Sequence, residues 1–146
     1  MSQIGFIGYG EVGYRFSLGF KQMGLKMGLC TTSSEKAVNY ILTRFKIDGY
    51  FQIVVPRNKV KYVKPHTEQF ELALKTIGVS PKDTVIVGDS TVDMESAKEL
   101  KAIAVGMPTG FSTKEQLTSD GANYIITSLT DLPILIKKMN EEIKKL

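Results

Sequence analysis

The stretch DTVIVGDSTVDMESAKEL, residues 83–100, decides the fold class of this 146-residue chain. Residues 84–87 form a short apolar, β-branched run, which is typical of a buried strand. Gly88 ends the run, and Asp89 and Asp93 follow it, four residues apart, where helical periodicity begins. Two carboxylates at a strand end offer the oxygen ligands that a hard cation such as Mg²⁺ prefers. Taken alone, the motif is explained equally well by a turn at Asp89 and a helix cap at Asp93.

The same strand-then-helix pattern repeats along the chain. Short runs rich in Ile, Val or Phe predict strands at residues 3–7, 26–31, 52–55, 84–88, 102–106 and 123–126. Helical periodicity predicts helices at residues 11–23, 34–45, 66–77, 92–100, 113–118 and 130–145. Strands that are apolar on both faces and alternate with helices predict an α/β fold, a three-layer α/β/α sandwich with a mostly parallel sheet. Ligands are then expected at the edge formed by the C-terminal ends of the strands.

Two motifs upstream are expected at that same edge. The second predicted strand ends in Thr31, Thr32 and Ser33, just before a helix, and Lys64 precedes Pro65 where the next helix begins. Helix capping accounts for the first motif and an ordinary surface lysine for the second, when each is taken alone. The single histidine, His66, is interpreted as a surface residue or a helix-start contact.

In this order and spacing, the three motifs resemble those of the haloacid dehalogenase superfamily, closest to its phosphoglycolate phosphatase-like members. The resemblance covers about residues 14–136 and includes VGMPTGFSTKEQLTSDGANYIITSLTDLP, residues 105–133. It implies that Thr31 hydrogen-bonds a phosphoryl oxygen, and that Lys64 neutralises phosphoryl charge and holds the nucleophile's carboxylate. It also implies that Asp89 ligates Mg²⁺ directly with support from Asp93, and that the substrate is a small phosphorylated molecule.

The chain departs from the superfamily pattern at its first strand. Such phosphatases use Asp-x-Asp at the end of that strand, where one aspartate attacks phosphorus and the other is the general acid and base. Here QIGFIG is followed by Tyr9, Gly10 and Glu11, and no aspartate precedes Asp48, which is predicted on the opposite sheet edge. The helix dipole suffices to explain Glu11. We therefore expect a phosphomonoesterase-type body that binds Mg²⁺ and phosphate, lacks a cap domain, and is catalytically weak or inactive.

A glycine motif stands where the nucleophile is expected. Gly8, Gly10 and Gly13 match G-x-G-x-x-G between a predicted strand and a predicted helix, as a pyrophosphate-binding turn requires. This β-α unit, residues 1–25, resembles the NAD(P)-binding opening of the 6-phosphogluconate and 3-hydroxyisobutyrate dehydrogenase family. The second strand nevertheless ends in CTTSS, without the acidic residue that a ribose or the arginine that a 2′-phosphate requires. NAD(P) is therefore the less favoured cofactor.

The chain is predicted to be one composite domain, with a Rossmann-like unit at residues 1–25 and a phosphatase-like body at residues 26–146. A natural recombination, a degenerate relative and an engineered chimera all fit such a join. Two alternatives to the phosphatase-type function stay open. One is a dinucleotide-binding module that uses the three glycines, and the other is a structural chimera without a ligand.

Composition limits the expected partners and location. Hydrophobic residues make up 42% and charged residues 23%, as in ordinary globular proteins, and no apolar run is long enough to span a bilayer. The start MSQIGFIG lacks a basic lead and a cleavage site, so we expect a cytoplasmic protein. The net charge of +4 lies partly in residues 57–64 and 137–146, where a solvated surface is favoured over nucleic-acid binding. The lone Cys30, in the run MGLC, is predicted to be buried.

Overall fold

The computed structural model describes residues 3–5, 24–109 and 112–146, and of residues 3–5 the backbone alone. Its strands are β1 (Gln3–Gly5), β2 (Lys26–Cys30), β3 (Ile53–Val55), β4 (Thr84–Gly88), β5 (Ile103–Gly106) and β6 (Tyr124–Ile125). In the described residues they form one parallel sheet in the order β3-β2-β1-β4-β5-β6. The predicted parallel sheet is therefore confirmed.

The described helices are α1 (Glu35–Arg44), α2 (Glu68–Ile77), α3 (Thr91–Leu100), α4 (Lys114–Ser119) and α5 (Leu132–Lys144). Short 3-10 turns lie at Asp48–Tyr50, Arg57–Lys59, Pro81–Asp83 and Leu129–Asp131. The helix ends follow local chemistry, since the Ser34 hydroxyl caps α1 and Gly78 ends α2 with a left-handed φ of 73°. Each of these helices lies within two residues of its predicted position, whereas the helix predicted at residues 11–23 lies outside the described residues.

Two apolar clusters cover the two faces of the sheet. Val85 and Val87 belong to one cluster and Ile86 to the other, because successive side chains of a strand point to opposite faces. The first face is covered by α1 and α5, and the second by α2, α3 and α4. The three-layer arrangement predicted from strands that are apolar on both sides is confirmed, and no inserted domain interrupts the described ranges.

Register brings the C-terminal strand ends to one level. Cys30 is paired with Val55, and Gly88 is paired with Gly106. β1 connects the two halves, because Gly5 is level with both Gly28 and Ile86. The segments that leave β2, β3 and β4 therefore start side by side. Asp48–Tyr50 precedes β3 and lies at the opposite edge, as predicted.

The longest described helix, α5, has 13 residues. No helix in the described ranges combines the length and the apolar character that crossing a membrane demands.

Substitution of two isoleucines of α5 tests which face of this helix packs against the sheet. Ile136 is fully buried and Ile134 is 71% exposed. We expect Ile136→Ala to lower the free energy of unfolding by about 2–5 kcal/mol, because it leaves a cavity in a packed core. Ile134→Ala is the matched control and is expected to change it by less than about 0.5 kcal/mol. Denaturant unfolding measures both, and equal effects would contradict the assignment of this face.

Candidate active site

A buried ion pair lies at the C-terminal edge of the sheet. The Lys64 ammonium is 2.7 Å from Asp93 Oδ1, and the two side chains are only 6% and 4% exposed. The same ammonium donates a hydrogen bond to the carbonyl oxygen of Cys30, the last residue of β2, at 3.2 Å. Lys64 precedes α2 and Asp93 lies in the first turn of α3. The Lys64 side chain thus connects the loop before α2 to the start of α3 and to the end of β2.

Asp93 uses both of its carboxylate oxygens within the protein. Oδ1 accepts from Lys64, and Oδ2 accepts from the Ser90 hydroxyl at 3.0 Å. The carboxylate also packs directly on the backbone of Gly88, where an added methyl group would overlap it. Glycine at the end of β4 is therefore required by this close approach. Asp93 positions Lys64, and its predicted support of a metal stays a prediction.

Asp89 is placed differently from Asp93. It directly follows β4, is exposed, and makes no hydrogen bond or ion pair with any described residue. Within the described ranges, no group of three or more His, Cys, Asp and Glu side chains could hold a metal ion. Mg²⁺ nevertheless needs only one or two carboxylates when water and substrate phosphate complete its coordination. The donor chemistry of Asp89 fits that requirement.

Thr31 follows β2 and is buried at the same edge. Its N–H donates to the Val55 carbonyl at 3.1 Å, which continues the pairing of β2 with β3. Its hydroxyl oxygen accepts from the N–H of Ser33 at 3.1 Å, so this amide of the turn already bonds the protein itself. Ser34 caps α1 through the N–H of Ala37. In this Thr–Ser run, Ser34 therefore caps the helix and Thr31 lies at the sheet edge.

Several contacts hold the loop that carries Lys64. The Glu68 carboxylate accepts from the backbone N–H groups of Lys61 and Tyr62, both at 2.9 Å, and these bonds lower the pKa of Glu68. On the other side, the buried Ser96 hydroxyl of α3 donates to the Pro65 carbonyl at 2.8 Å. These bonds hold the loop on both sides of Lys64.

His66 is a helix-start contact, as predicted. Its Nδ1 accepts from the N–H of Glu68 at 3.1 Å, and its ring lies 4.9 Å from the ring of Tyr62. Both contacts are on the exposed surface, and His66 is not part of the ion-pair cluster.

Two fully buried polar residues, Gln69 and Ser96, were not predicted from the sequence. Both lie on the buried faces of amphipathic helices: Gln69 is four residues before buried Ala73, and Ser96 is next to buried Ala97. A polar residue on an otherwise apolar face is the signal that could have identified them, because buried polar groups require partners.

Gly8, Gly10 and Gly13, together with Glu11, lie outside the described residues. The role of the three glycines as a dinucleotide-binding turn stays a prediction, and so does the place of Glu11 at the start of a helix. The described end of β2 continues into Thr31, Thr32 and Ser33, which supplies no acidic group at the position where a ribose would be bound.

The chain belongs to the haloacid dehalogenase-like hydrolase family, because a sequence model of that family matches residues 18–107. It is 28% identical over 120 residues to the pyrophosphatase PpaX of Bacillus mycoides, which covers 82% of this chain and 56% of the relative. Among solved structures, it is similar to a predicted phosphoglycolate phosphatase from Haemophilus somnus, with 25% identity, a TM-score of 0.79, and coverage of 88% of this chain and 56% of that one. It is also similar to a HAD phosphatase from Thermococcus onnurineus, with 26% identity, a TM-score of 0.72, and coverage of 84% and 55%.

The chain thus spans little more than half the length of the curated relatives that it matches. These similarities support the phosphatase-like interpretation of the sequence. They give no support to a Rossmann-type chimera, and the family match begins only at residue 18. The dinucleotide-binding alternative is not favoured by them.

Cys30 is buried beside the ion pair, as predicted for a packing residue. Burial raises the pKa of its thiol from 9.0 to about 12, and the smaller effects of Lys64 and Asp93 oppose each other. The native thiol therefore keeps a proton that the unfolded chain releases above about pH 9, so this group lowers stability as the pH rises from about 9 to 12.

We expect Cys30 to react with a thiol reagent only as fast as the protein opens. Burial and the raised pKa leave almost no thiolate in the native state near pH 8, about where such reagents are used. Labelling followed by mass spectrometry, with and without denaturant, measures the two rates. Native labelling as fast as that of the unfolded chain would show that the thiol is accessible.

Removal of one partner of the buried pair is expected to be costly. Lys64→Met or Asp93→Leu leaves an unpaired buried charge, which destabilises proteins by about 3–5 kcal/mol. The double variant Lys64→Met/Asp93→Leu should recover most of that loss, because no charge is then buried alone. Denaturant unfolding of the wild type and the three variants closes the cycle. Additive losses would mean that the two charges do not interact energetically.

Proposed function

We propose that this chain is a phosphohydrolase-type domain that binds Mg²⁺ and the phosphate of a small phosphorylated molecule, with weak or no turnover of its own. One observation carries the proposal, namely the buried Lys64–Asp93 pair at the sheet edge between the segments that start with Thr31 and Asp89. The whole chain, residues 1–146, would act as one domain of this type.

Lys64 would supply the positive charge for phosphate. Two of its acceptors are within the protein, Asp93 Oδ1 and the Cys30 carbonyl. An ammonium has three donors, so one further donor would be available for a phosphoryl oxygen. A fixed cation in a buried site stabilises phosphoryl charge more strongly than one in water, because it needs no reorganisation. Asp93 would hold the ammonium in place for this purpose.

Thr31 and Asp89 would complete the site from the neighbouring strands. Thr31 would donate its hydroxyl proton to a phosphoryl oxygen, while its own backbone is held by β3. Asp89 would be the protein's carboxylate ligand for Mg²⁺, since its side chain is exposed and bonds no described residue. The ion would supply charge neutralisation to the bound phosphate.

The proposed low turnover rests on the sequence of the first strand. Hydrolysis through a phosphoryl-enzyme needs a carboxylate nucleophile, and no aspartate occurs before Asp48. Asp48 precedes β3 and lies at the opposite edge of the sheet. This chain would therefore bind Mg²⁺ and phosphate but catalyse hydrolysis weakly or not at all.

Hydrolysis by a repaired variant tests both parts of the proposal. The double substitution Tyr9→Asp/Glu11→Asp restores Asp-x-Asp, and we expect it to hydrolyse p-nitrophenyl phosphate or pyrophosphate with Mg²⁺ while the wild type stays near background. Asp89→Ala in the repaired chain is the matched control and should remove the gained activity. If the wild type is active and loses this activity on Asp89→Ala, the claim of inactivity is overturned, and the proposed role of Asp89 in the site is supported.

Calorimetry with inorganic phosphate and Mg²⁺ separates binding from catalysis. We expect the wild type to bind and Lys64→Met to lose at least about tenfold in affinity, because a charge-assisted hydrogen bond is removed. Absence of wild-type binding, together with silence of the repaired variant, would overturn the proposed function.

A further inference from the structure

The side chain of Gln69 joins three separate parts of the candidate site. It is fully buried in the first turn of α2. Its Nε2 donates to the carbonyl oxygens of Thr31 at 2.8 Å and Val55 at 3.1 Å, and its Oε1 accepts from the N–H of Lys64 at 3.3 Å. One amide thus connects the ends of β2 and β3 to the loop in front of α2.

Both polar atoms of the Gln69 side-chain amide are hydrogen-bonded to backbone groups. Both protons of Nε2 have a carbonyl acceptor, and the oxygen has a backbone donor. The backbone carbonyl oxygen of Gln69 also accepts from the Cys30 thiol at 3.5 Å. A buried amide costs free energy unless it is paired, so this side chain is tolerated in one orientation only.

Together with a bond of the Lys64 ammonium, these bonds close a ring that passes through Lys64, Cys30, Thr31 and Gln69. The Lys64 ammonium bonds the Cys30 carbonyl, and the next residue along the chain, Thr31, accepts from Gln69. Gln69 in turn accepts from the backbone N–H of Lys64. The ring therefore fixes both the backbone and the ammonium of Lys64 relative to Thr31.

We propose that Gln69 is a positioning residue that sets the distance between Lys64 and Thr31, and so the fit of a phosphoryl group between them. This inference rests on the proposed function, in which these two residues bind one phosphate. Gln69 would touch no ligand itself, because its polar atoms bond the protein. Displacements of about 1 Å in such a site can cost about a hundredfold in function. A buried residue that fixes the position of Lys64 can therefore have a large effect without touching the ligand.

A purely structural role for Gln69 makes a different prediction. If its bonds only anchor α2 to the sheet, their loss should lower stability and leave the ligand affinity of the folded protein unchanged. If they set the position of Lys64, the folded variant should bind phosphate less well. Affinity and the environment of the Lys64 ammonium are therefore the informative readouts.

Gln69→Met keeps the length of the side chain and removes all three bonds. We expect folded Gln69→Met to bind inorganic phosphate with Mg²⁺ at least about tenfold more weakly by calorimetry, and to show a shifted NMR signal of the Lys64 side chain. Gln52→Met is the control, since exposed Gln52 precedes β3 and its amide oxygen accepts from the N–H of Met27 in β2 at 2.6 Å, away from the site. The control should bind within about twofold of the wild type.

Gln69→Glu adds a pH signature in ligand binding, and the absence of that signature would contradict the positioning role. Its ionised carboxylate cannot donate to the two carbonyls, whereas its protonated form can donate once. Burial raises the pKa of such a carboxyl, so the affinity relative to the wild type should recover as the pH falls from about 8 to about 5.5. If Gln69→Met fails to fold, this comparison alone tests the inference.

Each outcome has a distinct meaning. Wild-type affinity in folded Gln69→Met, or a pH-independent ratio for Gln69→Glu, would overturn the positioning role and leave the proposed function standing. If the wild type binds no phosphate and the repaired variant is silent, the proposed function fails, and the inference fails with it. Where the wild type binds, an unchanged Lys64 signal in Gln69→Met would overturn the positioning role, and a shifted signal together with weaker binding would support it.

Discussion

The buried Lys64–Asp93 pair is the interaction on which the candidate site depends. A lysine ammonium and a carboxylate with so little exposure are tolerated only when they are close and when further hydrogen bonds satisfy them. Ser90 and the Cys30 carbonyl supply those bonds, and Gly88 leaves the space for the carboxylate. The loop in front of α2, the start of α3 and the end of β2 must therefore meet at one point.

The sheet makes that meeting possible at little cost. Parallel strands with level C-terminal ends start their outgoing segments side by side, so residues far apart in sequence need only short loops to become neighbours. The apolar clusters on both faces hold the strands in this register, and the buried side chains of Thr31, Lys64 and Asp93 lie where the strands end. Packing energy thus supports a polar centre that would not be stable by itself.

The sequence predicted the architecture well because each element carries its own local signal. The strand at Thr84–Gly88 and the helices after it follow from apolar periodicity, and Thr31, Lys64 and Asp89 are recognisable by their place after strands or before a helix. The pairing of Lys64 with Asp93 could not be read in this way, because 29 residues separate them and only the folded sheet brings them together. Gln69 was not predicted, because its side-chain bonds go to backbone atoms and its only signal in the sequence is a polar residue on the apolar face of a helix.

The two outer strands of the described sheet, Ile53–Val55 and Tyr124–Ile125, have three and two residues. An exposed strand edge is a template on which another chain can extend the hydrogen-bonded ladder, and the risk grows with its length and flatness. Edges this short offer few unpaired groups in register. A domain built around a polar centre at one end of its strands thereby carries little tendency towards edge-to-edge aggregation along its sides.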